Sequence, residues 1–165
     1  LKIGSYYHGG IVFYIDNTGK HGLVCADKDF GETLWGGRGR IGANKNEIGN
    51  DAAKFNTKLI LDEASWSISK GFFNTSKKPV STAARICIES EYNGFNDWYL
   101  PTLKELQLIN DNLNRTNKGN FKLTNYWSSI ESSAEFAWGV DFNTGKAKDS
   151  LEKGIVCCVR AIRAF

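Results

Sequence analysis

Four carboxylates stand where acid–base chemistry could be done: Asp97, Glu105, Glu131 and Asp141. Two such groups can move a proton if their surroundings separate their pKa values. Glu105 falls three residues after Thr102, the spacing of a helix capping box, so its side chain already has a structural use. A nucleophilic Ser or Cys would need a histidine base, and the two histidines, His8 and His21, sit in glycine contexts around the first strands. No Gly-x-Ser-x-Gly elbow occurs, and Ser128-Ser129 lies in a strand-like run. Arg160 and Arg163 could clamp an anion. Arginines in an apolar run are more often buried and paired, and the expected partners are Asp97, Glu105 or Asp141. Asp141, Asn143 and Asp149 could offer oxygens to calcium, but without a regular loop signature; no metal site is expected. "GGRGRIG" (36–42) lacks both the Lys-Ser/Thr ending of a phosphate loop and dinucleotide spacing. It reads as a surface loop presenting Trp35, Arg38 and Arg40 to solvent.

The cysteines are Cys25, Cys87, Cys157 and Cys158, with no CxxC pair, which argues against zinc. Adjacent residues of a strand face opposite ways, so Cys157 and Cys158 do not bond each other without distortion. Two readings stand: a bridge from Cys87 to Cys157 or Cys158 in an exported protein, or four buried thiols.

The elements that must position these residues form a simple order. "GGIVFYI" and "HGLVCA", joined by the turn Asp16-Asn-Thr-Gly19, read as a β-hairpin. Ala52, Phe55, Leu59 and Ile60 recur at helical spacing and predict a first helix over 50–64. Ser67 to Pro79 reads as a polar loop. Pro79 then opens a second helix whose apolar face holds Val80, Ala83, Ala84, Cys87 and Ile88. Thr102-Leu-Lys-Glu105 after Pro101 is a capping box that starts a third, short helix through Leu106 and Ile109. The last third is β: Tyr126–Glu131, Glu135–Phe142 with strict alternation, a polar edge strand over 146–150, and a closing central strand from Ile155 to Phe165. Hairpin, helices, then strands is an α+β order with an antiparallel sheet, read as a single domain over 1–165.

Composition excludes more than it selects. The formal charge of +3, with no basic cluster interleaved with aromatics, argues against nucleic acid. No apolar run is long enough to insert into a membrane. The aromatic content of 13% is high and favours binding surfaces. There is no methionine and the chain starts at Leu1, so a processed chain or a domain excised from a larger parent is expected.

Five runs in this order carry a resemblance: "GGIVFYIDNTGKHGLV" (9–24), "AARIC" (83–87), "GFNDWYLPTLKEL" (94–106), "YWSSIESSAEFAWGVDFNTG" (126–145) and "VRAIRAF" (159–165). Together the chain resembles the Lcl C-terminal domain family of bacterial collagen-like adhesins and Bacteroidetes surface proteins. The resemblance implies a C-type-lectin-like fold, surface display and recognition of a glycan or protein receptor, with no catalysis and no cofactor. It implies scaffold roles for Trp98, Leu100, Pro101, Glu105, Leu106, Trp127, Trp138, Val159, Arg160 and Arg163. By analogy with lectin-like folds it implies that Cys87 pairs with Cys157 or Cys158. A cysteine found upstream of the second helix in many members is missing here, and Cys158 replaces a basic residue common in the family. The ligand-facing residues are then expected in loops: Trp35, Arg38 and Arg40; Glu131 to Glu135; and Lys146, Lys148 and Asp149. Their mix suits an acidic glycan or a protein patch, with oligomerisation left to the parent protein. Two other readings use the same fold: a phage tail-tip receptor-binding domain, and a formylglycine-generating type of cysteine oxidase, which needs a reactive thiol pair.

Overall fold

The computed structural model describes residues 1–49, 51–69 and 81–165, the side chains of 64–69 excepted. In chain order the elements are β1 (Tyr6–Tyr7), β2 (Gly10–Ile15), β3 (Gly22–Cys25), β4 (Gly31–Thr33), α1 (Ala52–Ser69), α2 (Ala83–Ile88), α3 (Leu103–Asn112), a 3-10 turn (Asn114–Thr116), β5 (Asn125–Glu131), β6 (Phe136–Asp141), β7 (Lys146–Glu152), β8 (Cys157–Val159) and β9 (Ile162–Ala164). The fold is α+β. One sheet runs β1-β2-β3-β9 and the other β4-β8-β5-β6-β7. All pairings are antiparallel except β5 with β8.

The β2–β3 hairpin forms as the turn residues dictate. The Asp16 carboxylate accepts from the Thr18 amide at 3.1 Å and from its hydroxyl at 2.7 Å. Gly19 then takes a left-handed φ of 72° that a side chain would resist. β4 falls within the glycine-rich stretch and was not expected from it: three residues with one β-branched member carry little strand signal. They pair with β8 from Gly31↔Val159 to Thr33↔Cys157.

The closing segment is not one strand. It changes sheets at Arg160-Ala161, so β8 lies inside the second sheet while β9 joins β3 in the first. Residues 157–163 are all buried, because the chain passes between two cores. That double burial is what makes the run look like a single central strand in sequence. Tyr99 fastens β9 from the other side, its N–H and C=O both bonding Ile162 at 2.9 Å.

Two apolar clusters fill the molecule. Phe13, Leu23, Leu106, Ile109, Tyr126, Val140, Phe142 and Ile162 build the first. Trp35, Ile60, Ala83, Cys87, Trp98, Trp127 and Val159 build the second. Tyr126 and Trp127 are neighbours in β5 and point into different clusters, the period-two alternation of a strand buried on both faces. In β6, Ala137 faces the second cluster while Val140 and the half-buried Trp138, with Phe142 just past the strand, face the first. Gly139 is required by close approach, since a Cβ there would lie 2.5 Å from the Tyr126 carbonyl oxygen.

The helices correct the sequence reading in detail. α1 continues to Ser69, past the expected end and into the stretch read as loop. Its buried face is Ala52, Ala53, Asn56, Thr57 and Ile60, while Phe55 is 45% exposed beneath the Lys45 ammonium. The polar pair is inside because it satisfies irregular backbone nearby. Asn56 donates to the Lys45 carbonyl at 2.7 Å, and the Thr57 hydroxyl accepts from the Leu100 amide at 3.1 Å. α2 is capped by Thr82, whose hydroxyl accepts from the Arg85 amide. Ala83, Ala84 and Cys87 are buried, but Ile88 is 37% exposed; Asn50, Pro79 and Val80 lie outside the described residues. At α3 the capping box is present: the Glu105 amide donates to Thr102 Oγ1 at 3.2 Å, and the Thr102 amide to Glu105 Oε2 at 2.9 Å.

Candidate functional site

The loop over 34–43 departs from β4 and is fastened to the β5–β6 turn from below. Trp35, expected in solvent, is fully buried. Its indole N–H donates to the Ser128 carbonyl at 2.7 Å, and its amide donates to the Lys153 carbonyl at 2.9 Å. A tryptophan among glycines reads as exposed, but here the glycines let the chain turn around a buried ring. Glu131 was also expected to face a ligand. Its carboxylate instead accepts from the amides of Ile41 at 3.0 Å and Gly42 at 3.0 Å. Lys153 completes the fastening. Its ammonium bonds Glu131 Oε1 at 2.7 Å and the Gly39 carbonyl at 2.7 Å, 4.9 Å from the Trp35 ring centroid. Lys153 is fully buried; a lysine in "EKG" looks like a turn residue, so nothing in the sequence announced it.

Arg38 and Arg40 are held outward by this arrangement. Both are exposed, and neither has an ion-pair or hydrogen-bond partner among the described residues. The Gly39 amide donates to the Ala134 carbonyl at 2.8 Å, which brings the two arginines beside the 132–135 turn and the exposed Glu135. The third expected group is elsewhere. Lys148 pairs with Gly139 across the ladder, and Glu152 with Phe136. Lys148 is thus four residues along β7 from the turn, roughly 13 Å at strand rise. Lys148 bonds Asp141 at 3.0 Å, while Lys146 and Asp149 stand exposed on the edge strand. Asp141 also accepts from the Asn143 amide at 2.9 Å. Among the described residues no group of His, Cys, Asp or Glu is arranged to hold a metal.

The other two arginines are consumed by the fold. Arg160 bonds Asp29 at 2.8 Å through Nε, the Ala26 carbonyl at 2.9 Å and the Gly119 carbonyl at 2.7 Å, with Phe121 4.0 Å from Cζ. Its partner is Asp29, not Asp97, Glu105 or Asp141. Arg163 does take Asp97, bidentately at 2.6 and 3.0 Å. It also donates to the His8 carbonyl at 2.9 Å and stacks 3.7 Å from Phe95. Partial burial works to raise the Asp97 carboxyl, but the hydrogen bonds and charge of Arg163 outweigh it and hold the group below the usual range. Glu105 moves the other way: burial raises it, against the Gly49 and Thr102 amides it accepts from. Trp98 and Trp127 are core residues with bonded indoles, to the Phe95 carbonyl at 3.1 Å and the Thr33 carbonyl at 2.8 Å. Leu100 and Pro101 are buried as expected.

All four cysteines are free and buried, so the implied bridge of Cys87 to Cys157 or Cys158 is not formed. Cys157 turns to the second cluster with Cys87, and Cys158 turns to the first with Cys25. Burial pushes the Cys157 thiol up to about 11, those of Cys25 and Cys158 up to about 12, and Cys87 higher still. Reactive thiols are those whose pKa is depressed, and burial moves these four the other way. His8 lies in ring contact with Tyr7, Phe95 and Phe165, and His21 sits 3.3 Å from Asp16.

The geometry is that of an α+β scaffold whose buried charges place its loops. The chain belongs to the Lcl C-terminal domain family, which matches residues 45–163. No curated protein matches it. Glu131, Lys153 and the Asp97–Arg163 pair lie within the matched span, whereas Arg38 and Arg40 precede it. Among the described residues no helix is long and apolar enough to cross a membrane.

Proposed function

We propose that this chain is a non-catalytic recognition domain, displayed outside the cell on a longer surface protein, that binds an acidic glycan or an acidic protein patch. The observation that carries the reading is the pair of guanidiniums, Arg38 and Arg40, without partners among the described residues, on a loop fixed from beneath by Glu131 and Lys153. A preorganised loop loses little entropy on binding, and arginine forks suit carboxylate and sulfate oxygens. Membership of the Lcl C-terminal domain family supports display at a surface. On this reading the two sheets act as a C-type-lectin-like frame for variable loops. The buried, upshifted thiols lend nothing to a cysteine oxidase. The test is binding to dextran sulfate and neutral dextran at low and high salt, with the native chain and the Arg38→Ala/Arg40→Ala variant. Sulfated polymer binding that weakens with salt and with the variant is expected. Equal binding of neutral dextran, or full binding by the variant, would overturn the reading.

A further inference from the structure

A groove of about 490 Å³ opens between the free end of the β2–β3 hairpin, residues 47–49 and the end of β9. That volume lies within the range of small-ligand sites, roughly 300–1,000 Å³. Its walls are Tyr14, Phe165, Leu23 and Ile48, and its charged rim is Asp16 and Glu47. The space is built into the fold. Gly22 forms part of the lining, and a Cβ there would sit 2.6 Å from the Phe165 ring. A bulge in β2 between Val12 and Tyr14 re-aims Tyr14. The opposite wall is tied to the start of α3: the Gly49 amide donates to Glu105 Oε1 at 2.9 Å, and the Thr102 hydroxyl donates to the Glu47 carbonyl at 3.4 Å.

The charge of the groove selects its occupant. No lysine or arginine lines it. Asp16 is held in its ionised form, chiefly by the Thr18 hydroxyl, and the imidazole beside it is already turned to that carboxylate. The Glu47 carboxylate has no partner among the described residues. An anion would meet two negative groups with no lysine or arginine to answer it, the one imidazole in the lining being engaged with Asp16. A neutral apolar guest would remove water from those carboxylates and return nothing. A cation on a short alkyl stem answers both parts, since aromatic faces also attract ammonium groups. We propose that this groove binds a primary alkylammonium group, its stem against Leu23 and Ile48 and its charge toward Glu47, Asp16 and the Tyr14 and Phe165 rings. This site is independent of the arginine loop and of opposite sign.

Two sources carry that chemistry, a lysine side chain of a protein and an amino sugar. Nα-acetyl-lysine N-methylamide, its Nε-acetylated form and glucosamine would each be titrated into the labelled chain while amide shifts are followed by NMR. Saturable shifts at Leu23, Ile48 and Gly49 are expected with at least one of the two amines and not with the Nε-acetylated form. Glu47→Gln, at an exposed side chain, should weaken the binding roughly fivefold. Whichever amine binds identifies the source. No saturable shifts with either amine, equal shifts with the Nε-acetylated form, or undiminished binding by Glu47→Gln would overturn the proposal.

Discussion

Arg160 and Arg38 are the same side chain in opposite circumstances. Arg160 is sealed in the interior, with Asp29 and the main-chain carbonyls of Ala26, Gly119 and Asn120 filling its donors. Arg38 stands in water with no partner among the described residues. The contrast shows how this fold divides its charges. Buried ions are costly unless fully paired, so those inside connect segments that sheets and helices do not. Arg160 joins the 26–29 turn to 119–120, Arg163 joins the His8 turn to the Asp97 loop, and Lys153 joins the 36–42 loop to β5. Arg38 and Arg40, turned outward, join no segments among the described residues and cost the fold little.

The severest test of that division is Arg160→Ala. It removes the counter-charge of Asp29, whose carboxylate keeps the Tyr126 hydroxyl at 3.0 Å, and leaves the Ala26 and Gly119 carbonyls without that donor. A loss of about 5 kcal/mol is expected in urea unfolding, enough to threaten folding in a chain of this size. Lys153→Met comes next, at about 3 kcal/mol, because Glu131 stays buried without a counter-charge. Glu131→Gln added to Lys153→Met should recover part of that loss, since the neutral carboxamide oxygen still accepts from the loop amides. A double-mutant cycle would read the coupling. Lys153→Met should also weaken polyanion binding by freeing the loop, which Arg160→Ala, where it folds, should not do.

Asp97 and Arg163 lie between the two extremes: the carboxylate is 49% exposed and the guanidinium side chain 9%. Because the folded Asp97 carboxyl titrates below its ordinary 3.8, its stabilising effect is present above that value and is lost as pH falls through the lower, folded one. Asp97→Asn should therefore cost about 1 kcal/mol at neutral pH and flatten the decline in stability below about pH 4. A variant that loses stability equally at every pH would show that shape, not charge, is what Arg163 requires there.

What the sequence disclosed follows the same division. The capping box at Thr102–Glu105, the hairpin turn and the alternation of β6 are local patterns, set by neighbours three residues away or fewer, and they are visible in one dimension. The Asp97–Arg163 pair was legible only as one of several pairings, since the sequence offers Asp97, Glu105 or Asp141 to either arginine. Trp35, Glu131 and Lys153 were not legible, since their environment is assembled from segments roughly 90 to 120 residues apart. Phe55 was misplaced for a related reason: helical spacing identifies a face, but backbone demands from 45 and 100 decided that Asn56 and Thr57 go inside. The sheet change at Arg160-Ala161 was hidden because a chain buried between two cores and a chain buried inside one sheet have the same composition.

The smallest expected effect on stability is the most telling for function. Arg38→Ala/Arg40→Ala removes two exposed side chains with no hydrogen bonds or ion pairs to lose among the described residues, and the loop fasteners at Gly39, Ile41 and Gly42 act through main-chain groups that alanine leaves intact. Its unfolding midpoint should stay within about 0.5 kcal/mol of the native chain. Each guanidinium facing a sulfate in water contributes on the order of 1 kcal/mol, so dextran sulfate affinity should fall roughly tenfold or more at low salt, with a shallower salt dependence. Unchanged stability with lost binding would separate the two classes of arginine outright. A large loss of stability would mean that Arg38 or Arg40 belongs with Arg160 among the charges that hold segments together.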